Sequence, residues 1–320
     1  MGIITNNDII DKIMSSQLSE AVKNDLASVC KGESLPQLTS DTVAKKMFSP
    51  DVHRERYEYL MRRIMKDTDI AVKSSSANEL FFTSVDAKKI ITDIPAWLKD
   101  GRLADLEVQV AAQSFIDTRV DIYSSAMLMV QYGVDKNQSR SNIDYNNLKD
   151  VIVVVLMRHS PSIFKQYSPN KYIHRFTSMK ADTGLRLNTS RKIAYVELDK
   201  ALDVFRGGTY NEDEDKELLL WLATIADVND PLVSEKAVQD KSLIELRDEL
   251  CRFAQDKEVQ AMLLADQFAQ ADFNTAINTI RQEEKRRFNE ARERYIKQLL
   301  ENGTATTTEE AEQMADKIFV

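Results

Sequence analysis

Residues 99–110 read KDGRLADLEVQV, and the register of this stretch decides what is built around it. Leu106, Val108 and Val110 alternate with Asp105, Glu107 and Gln109. On a strand, successive side chains point to opposite faces, so one face is apolar and the other carries the three polar groups in a row. Lys99-Asp100-Gly101-Arg102 signals a hairpin. A two-residue Asp-Gly loop pairs 99 with 102 and leaves Asp93 opposite Val108, on the wrong face from Glu107. A three-residue loop over 99–101, with Gly101 left-handed, pairs 98 with 102. Asp93 then becomes the cross-strand neighbour of Glu107, with Gln109 two residues along. Pro95 cannot donate to a ladder, so its strand is expected to be an edge there or to carry a bulge.

Two carboxylates that close repel. Either the row is only the wet face of an amphipathic strand, or a divalent cation offsets the repulsion, for which Mg²⁺ (or Mn²⁺) is suited. Mg²⁺ takes one or two protein carboxylates and fills its other positions with water and substrate phosphate. Hydrolysis of a phosphodiester is what such an ion does well. The rest of the chain narrows the alternatives. Its 8 glycines stand at no P-loop or dinucleotide-binding spacing, and there is no G-x-S-x-G elbow. The 3 histidines, at 53, 159 and 174, form no zinc spacing. Any metal is therefore a hard ion on oxygen ligands.

The chain of 320 residues is 43% hydrophobic, enough for a normal core, and 29% charged with 8 Gly and 6 Pro, which favours long helices. No apolar run is long enough to cross a membrane. The opening MGIITNNDIIDKIM lacks a charged-then-apolar signal pattern, which points to the cytoplasm. Cys30 and Cys251 are expected to be small core residues rather than a disulfide. The net charge of −8 argues against a general nucleic-acid coat but not against a local basic patch.

Residues 5–47 read as two or three helical pieces, and Tyr57, Leu60, Met61, Ile64 and Met65 mark a further helix. Strands are expected at 69–73, 79–85 and 89–98, and a helix follows at 115–133, which Gly133 is placed to stop. VIVVVLM at 151–157 reads as a strand buried on both faces. KYIHRFTSMK and KIAYVEL read as further strands, and the chain from 211 onward as helical. This is an α/β core with helical additions at both ends. It divides into an N-terminal helical segment (1–45), a core (46–210) and a C-terminal helical region (211–320).

With its neighbours, the hairpin resembles the active-site hairpin of the PD-(D/E)XK nuclease superfamily, and most of all the bacterial PD-(D/E)XK nuclease family transposases, related to recombination-promoting nucleases. In TDIPAWLKDGRLADLEVQ, Asp93, Asp100-Gly101, Glu107 and Gln109 match that family's pattern. MFSPDVHRERYEYLMRRIM, Asn78-Glu79, RVDIYSSAMLMVQY, DVIVVVLM and KYIHRFTSMKADTGLRL resemble its other segments in order, over roughly residues 46–230. Arg54 stands where the family commonly has Pro.

The resemblance implies a restriction-endonuclease-like mixed sheet flanked by helices, and a Mg²⁺-dependent DNA endonuclease working in recombination or mobile-element biology. Asp93 and Glu107 would bind the metal, with the backbone carbonyl of Val108 as a further ligand. Gln109 stands where the superfamily usually has a Lys. Glu79 would be an extra acid, and Arg119 and Tyr123, four apart on one helix face, would contact the phosphate. His159 and His174 are expected to be structural. Lys88, Lys89, Lys99, Arg102, Lys136 and Arg140 are candidate DNA contacts. The helix with Lys285, Arg286 and Arg287 is a weaker one, or a partner helix in a homo-oligomer. The neutral Gln109 keeps open a nuclease-fold protein of weakened activity that acts by binding DNA or protein, and RNA stays open as a substrate.

Overall fold

The computed structural model describes residues 6–76, 79–80, 90–91, 93–110, 115–134, 148–167, 170–208 and 215–317. Contacts divide the chain into two compact units, one of residues 1–16 and 20–263, the other of 17–19 and 264–320.

In the first unit, α1 (Asn6–Ser15), α2 (Glu20–Lys31), α3 (Asp41–Met47) and α4 (Arg54–Met65) precede the strands. Among the described residues eight strands follow in two sheets: β1 (Val72–Ser75), β2 (Glu79–Leu80), β3 (Ile90–Ile91), β4 (Ile94–Leu98), β5 (Leu103–Gln109), β6 (Val151–Met157), β7 (Ile173–Lys180) and β8 (Arg186–Glu197). The main sheet has the order β1-β4-β5-β6-β8-β7, and β2 pairs with β3 apart from it. β5, β6 and β8 run parallel, while β1, β4 and β7 join antiparallel. The mixed sheet flanked by helices agrees with the fold that the resemblance implies.

β6 explains why the sheet needs cover on both sides. All seven residues of VIVVVLM are buried, as expected for a parallel strand with neighbours left and right. α5 (Ile116–Val134) packs Ile116, Val120 and Met127 against Val151, Val153, Val155 and Met157. A short α6 (Ser162–Lys165) follows β6; α4 and α7 (Leu198–Gly207) also contact β6, and the other β6 side chains, Ile152, Val154 and Leu156, are buried too.

The hairpin takes the three-residue loop. Gly101 has φ +89°, the Leu98 N–H donates to Arg102 O at 2.9 Å, and the Gly101 N–H donates to Leu98 O at 3.1 Å. The pairing runs Trp97 with Leu103, Ala96 with Ala104, Pro95 with Asp105 and Ile94 with Leu106. Pro95 is not on an edge strand, because β4 lies between β1 and β5. Its missing donor falls on the β1 side beyond the last paired residues, Ser75 and Ala96. The β1–β4 ladder does carry a register shift, between Val72 and Ser74.

Several expectations need correction. The strand foreseen over 89–98 is two strands: Ile90–Ile91 pairs with Glu79–Leu80, and Ile94–Leu98 enters the main sheet. Carboxylates cause the break. The Ile94 N–H donates to Asp105 Oδ1 (3.1 Å) and the Asp93 N–H to Glu107 Oε1 (3.3 Å). Gly133 does not stop α5, which continues through it to Val134. Cys251 is exposed on α10 (Lys241–Ala254), and only Cys30 is buried.

Three further helices of this unit start on aspartate caps. Asp215 accepts from Leu218 N–H at α8 (Lys216–Ala226), Asp230 from Val233 N–H at α9 (Pro231–Ala237), and Asp240 from Ser242 and Leu243 at α10 (Lys241–Ala254). Arg63 of α4 reaches Asp215 and Glu217 (both 2.5 Å), and Tyr59 stacks on Trp221, which docks α8 on α4. α11 runs Lys257–Glu301. In the second unit α12 (Thr308–Asp316) packs by Ala311 on Leu299 and Ala305, and Arg292 bonds Asp316 at 2.7 Å.

Candidate active site

Continuing the hairpin register by one pair sets Asp93 opposite Glu107, and the two are laced together. Asp93 Oδ2 accepts the Val108 N–H at 3.0 Å, and Glu107 Oε1 accepts the Asp93 N–H at 3.3 Å. Each carboxylate thus takes a backbone donor from across the gap where the ladder ends. The N–H and C=O of a strand residue point to the same side, so the Val108 carbonyl also opens toward Asp93. The Gln109 carbonyl points the other way and accepts the Arg158 N–H at 2.8 Å.

Asp105 joins the pair from below. It is wholly buried, its Oδ1 accepts Ile94 N–H, and its Oδ2 has no hydrogen-bond donor among the described residues. Its carboxyl group lies beside that of Glu107, and the two charges oppose each other. The sequence showed Asp105 as part of a polar row and not as a third acid at the centre of a site.

Arg119, at the start of α5, spans the row. Its Nη2 donates to Glu107 Oε2 (3.3 Å) and its Nη1 to Gln109 Oε1 (3.2 Å). A guanidinium has only donors, so the Gln109 oxygen faces it and the amide nitrogen faces away. Tyr123, one turn on, stacks under Arg119 with its ring centre 5.0 Å from the guanidinium carbon. Arg119 is therefore a bridge between the strand's side chains, and Tyr123 is its platform.

Among the described residues, four carboxylates, Asp41, Asp93, Asp105 and Glu107, interact electrostatically here with two cations, Lys45 and Arg119. Burial first, and the neighbouring negative charges after it, push these acids up. Burial raises Asp105 to about 7, with the Asp93 charge adding to the effect. Burial also pushes Glu107 well above the usual carboxylate range, with Asp105 and Asp93 adding and Arg119 opposing. Burial raises Asp93 too; the Val108 N–H, Lys45 and Arg119 pull the other way, and Asp41 pushes with it. Asp41 and Lys45 lie in α3 and were not foreseen. The visible signal was an Asp and a Lys at i, i+4, which by itself reads as surface helix pairing.

Among the described residues, no three His, Cys, Asp or Glu side chains form a ready-made metal cage. Mg²⁺ does not require one. The donor-less oxygen of Asp105, the excess of carboxylates and the all-oxygen donor set fit a hard divalent ion.

The other foreseen residues fall as follows. Glu79 sits in β2 opposite Ile91, two residues before Asp93, with its side chain outside the described residues. The half-buried His174 bonds the buried Glu197 at 2.9 Å at the end of β8. Lys99 and Arg102 are at the turn, roughly 17 Å along β5 from Glu107 at about 3.3 Å per residue. Arg102 is occupied there by Asp67 and Asp100. These two do not line the site, because the strand separates its turn from its carboxylate end. Lys88, Lys89, Lys136 and Arg140 lie outside the described residues. Lys285 and Arg286 are exposed on α11, and the side chain of Arg287 is outside the described residues.

No described helix is long and apolar enough to cross a membrane. No curated protein and no solved structure matches the chain. The model of one family, the PD-(D/E)XK nuclease family transposases, matches residues 38–280, more than half of the sequence and all of the site just described. That match, on a mixed sheet whose hairpin sets Asp93 against Glu107, shows that the chain belongs to the PD-(D/E)XK nuclease family transposases.

Proposed function

We propose that the protein is a Mg²⁺-dependent endonuclease that hydrolyses phosphodiester bonds in DNA. The observation that carries this reading is the exchange of backbone hydrogen bonds between the Asp93 and Glu107 carboxylates, which holds two acids side by side at the end of a strand pair. Family membership supports nuclease chemistry.

Asp93, Glu107 and the Val108 carbonyl would hold the ion. When bound, Mg²⁺ lowers the pKa of a water and neutralises charge on the phosphate. Asp105 stays beneath Glu107 and fixes its position. Arg119 fixes the Gln109 amide beside Glu107. The Gln109 amide orients but brings no charge.

The test is plasmid cleavage. Purified protein incubated with supercoiled plasmid and Mg²⁺ is expected to give nicked and then linear DNA, and Asp93→Ala is expected to give neither. Equal background cutting by both proteins would sink the enzyme reading. Binding of the plasmid without Asp93-dependent cutting would favour a nuclease fold used for binding. An RNA substrate in parallel separates the two nucleic acids.

A further inference from the structure

The third residue of the strand motif, Gln109, is neutral, and the guanidinium beside it is committed. Arg119 bonds Glu107 and Gln109 at once and rests on Tyr123. A second cation arrives from a different element. The Arg158 N–H donates to the Gln109 carbonyl (2.8 Å), and the Arg158 guanidinium donates to Thr39 Oγ1 (3.3 Å). This double attachment sets the residues just before α3 against the C-terminal ends of β5 and β6. One turn into α3 is Lys45, within electrostatic reach of both Asp93 and Glu107.

The helix is anchored while this side chain is not. Val43, Ala44 and Met47 are buried. Lys45 is 35% exposed, and its Nζ rests on Asp41 Oδ2 at 2.9 Å, a residue that is itself 57% exposed. Ion pairs that wet hold loosely and exchange readily. An ammonium on a four-carbon stem is a movable point charge, which a bridging guanidinium is not.

We propose that Lys45 supplies the positive charge for the phosphate at this site, turning from Asp41 toward the Asp93–Glu107 pair, and so performs from α3 what the Gln109 amide cannot. The inference rests on the nuclease reading above. Lys45 would neutralise charge that builds on a non-bridging phosphate oxygen, and Asp41 would hold it between encounters.

The experiment compares wild type, Lys45→Met, Lys45→Arg and Asp93→Ala in single-turnover plasmid cleavage with Mg²⁺, with melting curves and calorimetric Mn²⁺ binding on each. Removing a charge aimed at the reacting phosphate is expected to slow Lys45→Met by about 100-fold, with Lys45→Arg recovering about tenfold of that. Mn²⁺ should bind Lys45→Met at least as tightly as wild type, because a cation beside two carboxylates has gone. Asp93-dependent cutting that survives in Lys45→Met within about threefold overturns the proposal. Loss of Mn²⁺ binding together with cutting also overturns it, since Lys45 would then only hold the carboxylates in place. Equal cutting by wild type and Asp93→Ala removes the nuclease reading, and the Lys45 role falls with it.

Discussion

Glu107 and Asp93 are joined by a hydrogen bond from the Asp93 backbone N–H to the Glu107 carboxylate, returned by the Val108 N–H to Asp93. The backbone thereby holds together two groups whose charges push apart. Stability and activity are expected to respond in opposite directions when either charge is removed.

Glu107→Gln tests this directly. Its amide oxygen can still accept from Asp93 N–H, but the repulsion from Asp93 and Asp105 is gone. Mg²⁺-dependent cutting is expected to fall about 100-fold or more, in line with the loss of a main transition-state charge stabiliser. The melting temperature is expected to hold or rise. A variant that melts clearly lower and cuts normally would assign Glu107 to the structure instead.

Asp105 contributes to the pH dependence together with Glu107 and Asp93, which are raised beside it. Its folded pKa of about 7 lies above the ordinary carboxylate value, so the folded state holds its proton more tightly than the unfolded chain does. This contribution is fully present at low pH and is lost as pH rises from about 4 through about 7. Asp105→Asn is expected to lose that slope. The gap between its unfolding free energy and that of wild type should therefore widen from pH 5 to pH 8. Mg²⁺ should narrow the gap by stabilising the ionised cluster in the wild type. Denaturant unfolding at several pH values, with and without Mg²⁺, measures both effects.

Arg119→Lys keeps the charge and loses the fork. One ammonium cannot hold Glu107 and Gln109 in the same geometry. Unfolding is expected to cost about 1–2 kcal/mol less, the scale of a hydrogen bond to a charged group. In Arg119→Met the influence that lowers Glu107 is also removed, so the acid limb of the pH–rate profile should move to higher pH. Rates from pH 5 to 9 for both variants check this.

Gly101→Ala tests the turn that sets the register. A Cβ there meets Lys149 Cγ at 3.6 Å, which is ordinary contact, so the cost comes from φ +89°. A loss of about 1–2 kcal/mol is expected from a non-glycine residue in the left-handed region. Urea unfolding measures it, and cutting per folded molecule should stay near wild type.

Much of this arrangement can be read from the sequence because it is local. Gly101 marks a loop that leaves one register, and that register carries Asp93 to Glu107. VIVVVLM shows a strand with two covered faces, and Ile116, Val120 and Met127 show the helix that covers one of them. Asp105 was hidden because alternation alone cannot tell a wet face from one roofed by another element. The break at Asp93 was hidden because side-chain carboxylates, not backbone, accept the N–H groups of Asp93 and Ile94. Asp41 and Lys45 were hidden because the attachment that brings α3 to the site runs through Arg158 and Thr39, far apart in sequence. Lys99 and Arg102 misled for the opposite reason, since they are near Glu107 in sequence and a strand's length away in space.

The order of assembly follows from the sheet. β4 and β5 are joined by a tight turn and can pair within microseconds, while β6 and β8 reach β5 only through long parallel connections, which form slowly. On that order Asp93 and Glu107 would meet while the hairpin is still bathed in water, where both ionise at ordinary pH with little penalty. Only when β6 seats beside β5 and α5 closes over the row does water leave, and the acids then become costly to keep charged. The late steps of folding impose that cost, so a cation present during refolding should speed the final seating of β6 more than the early formation of the hairpin.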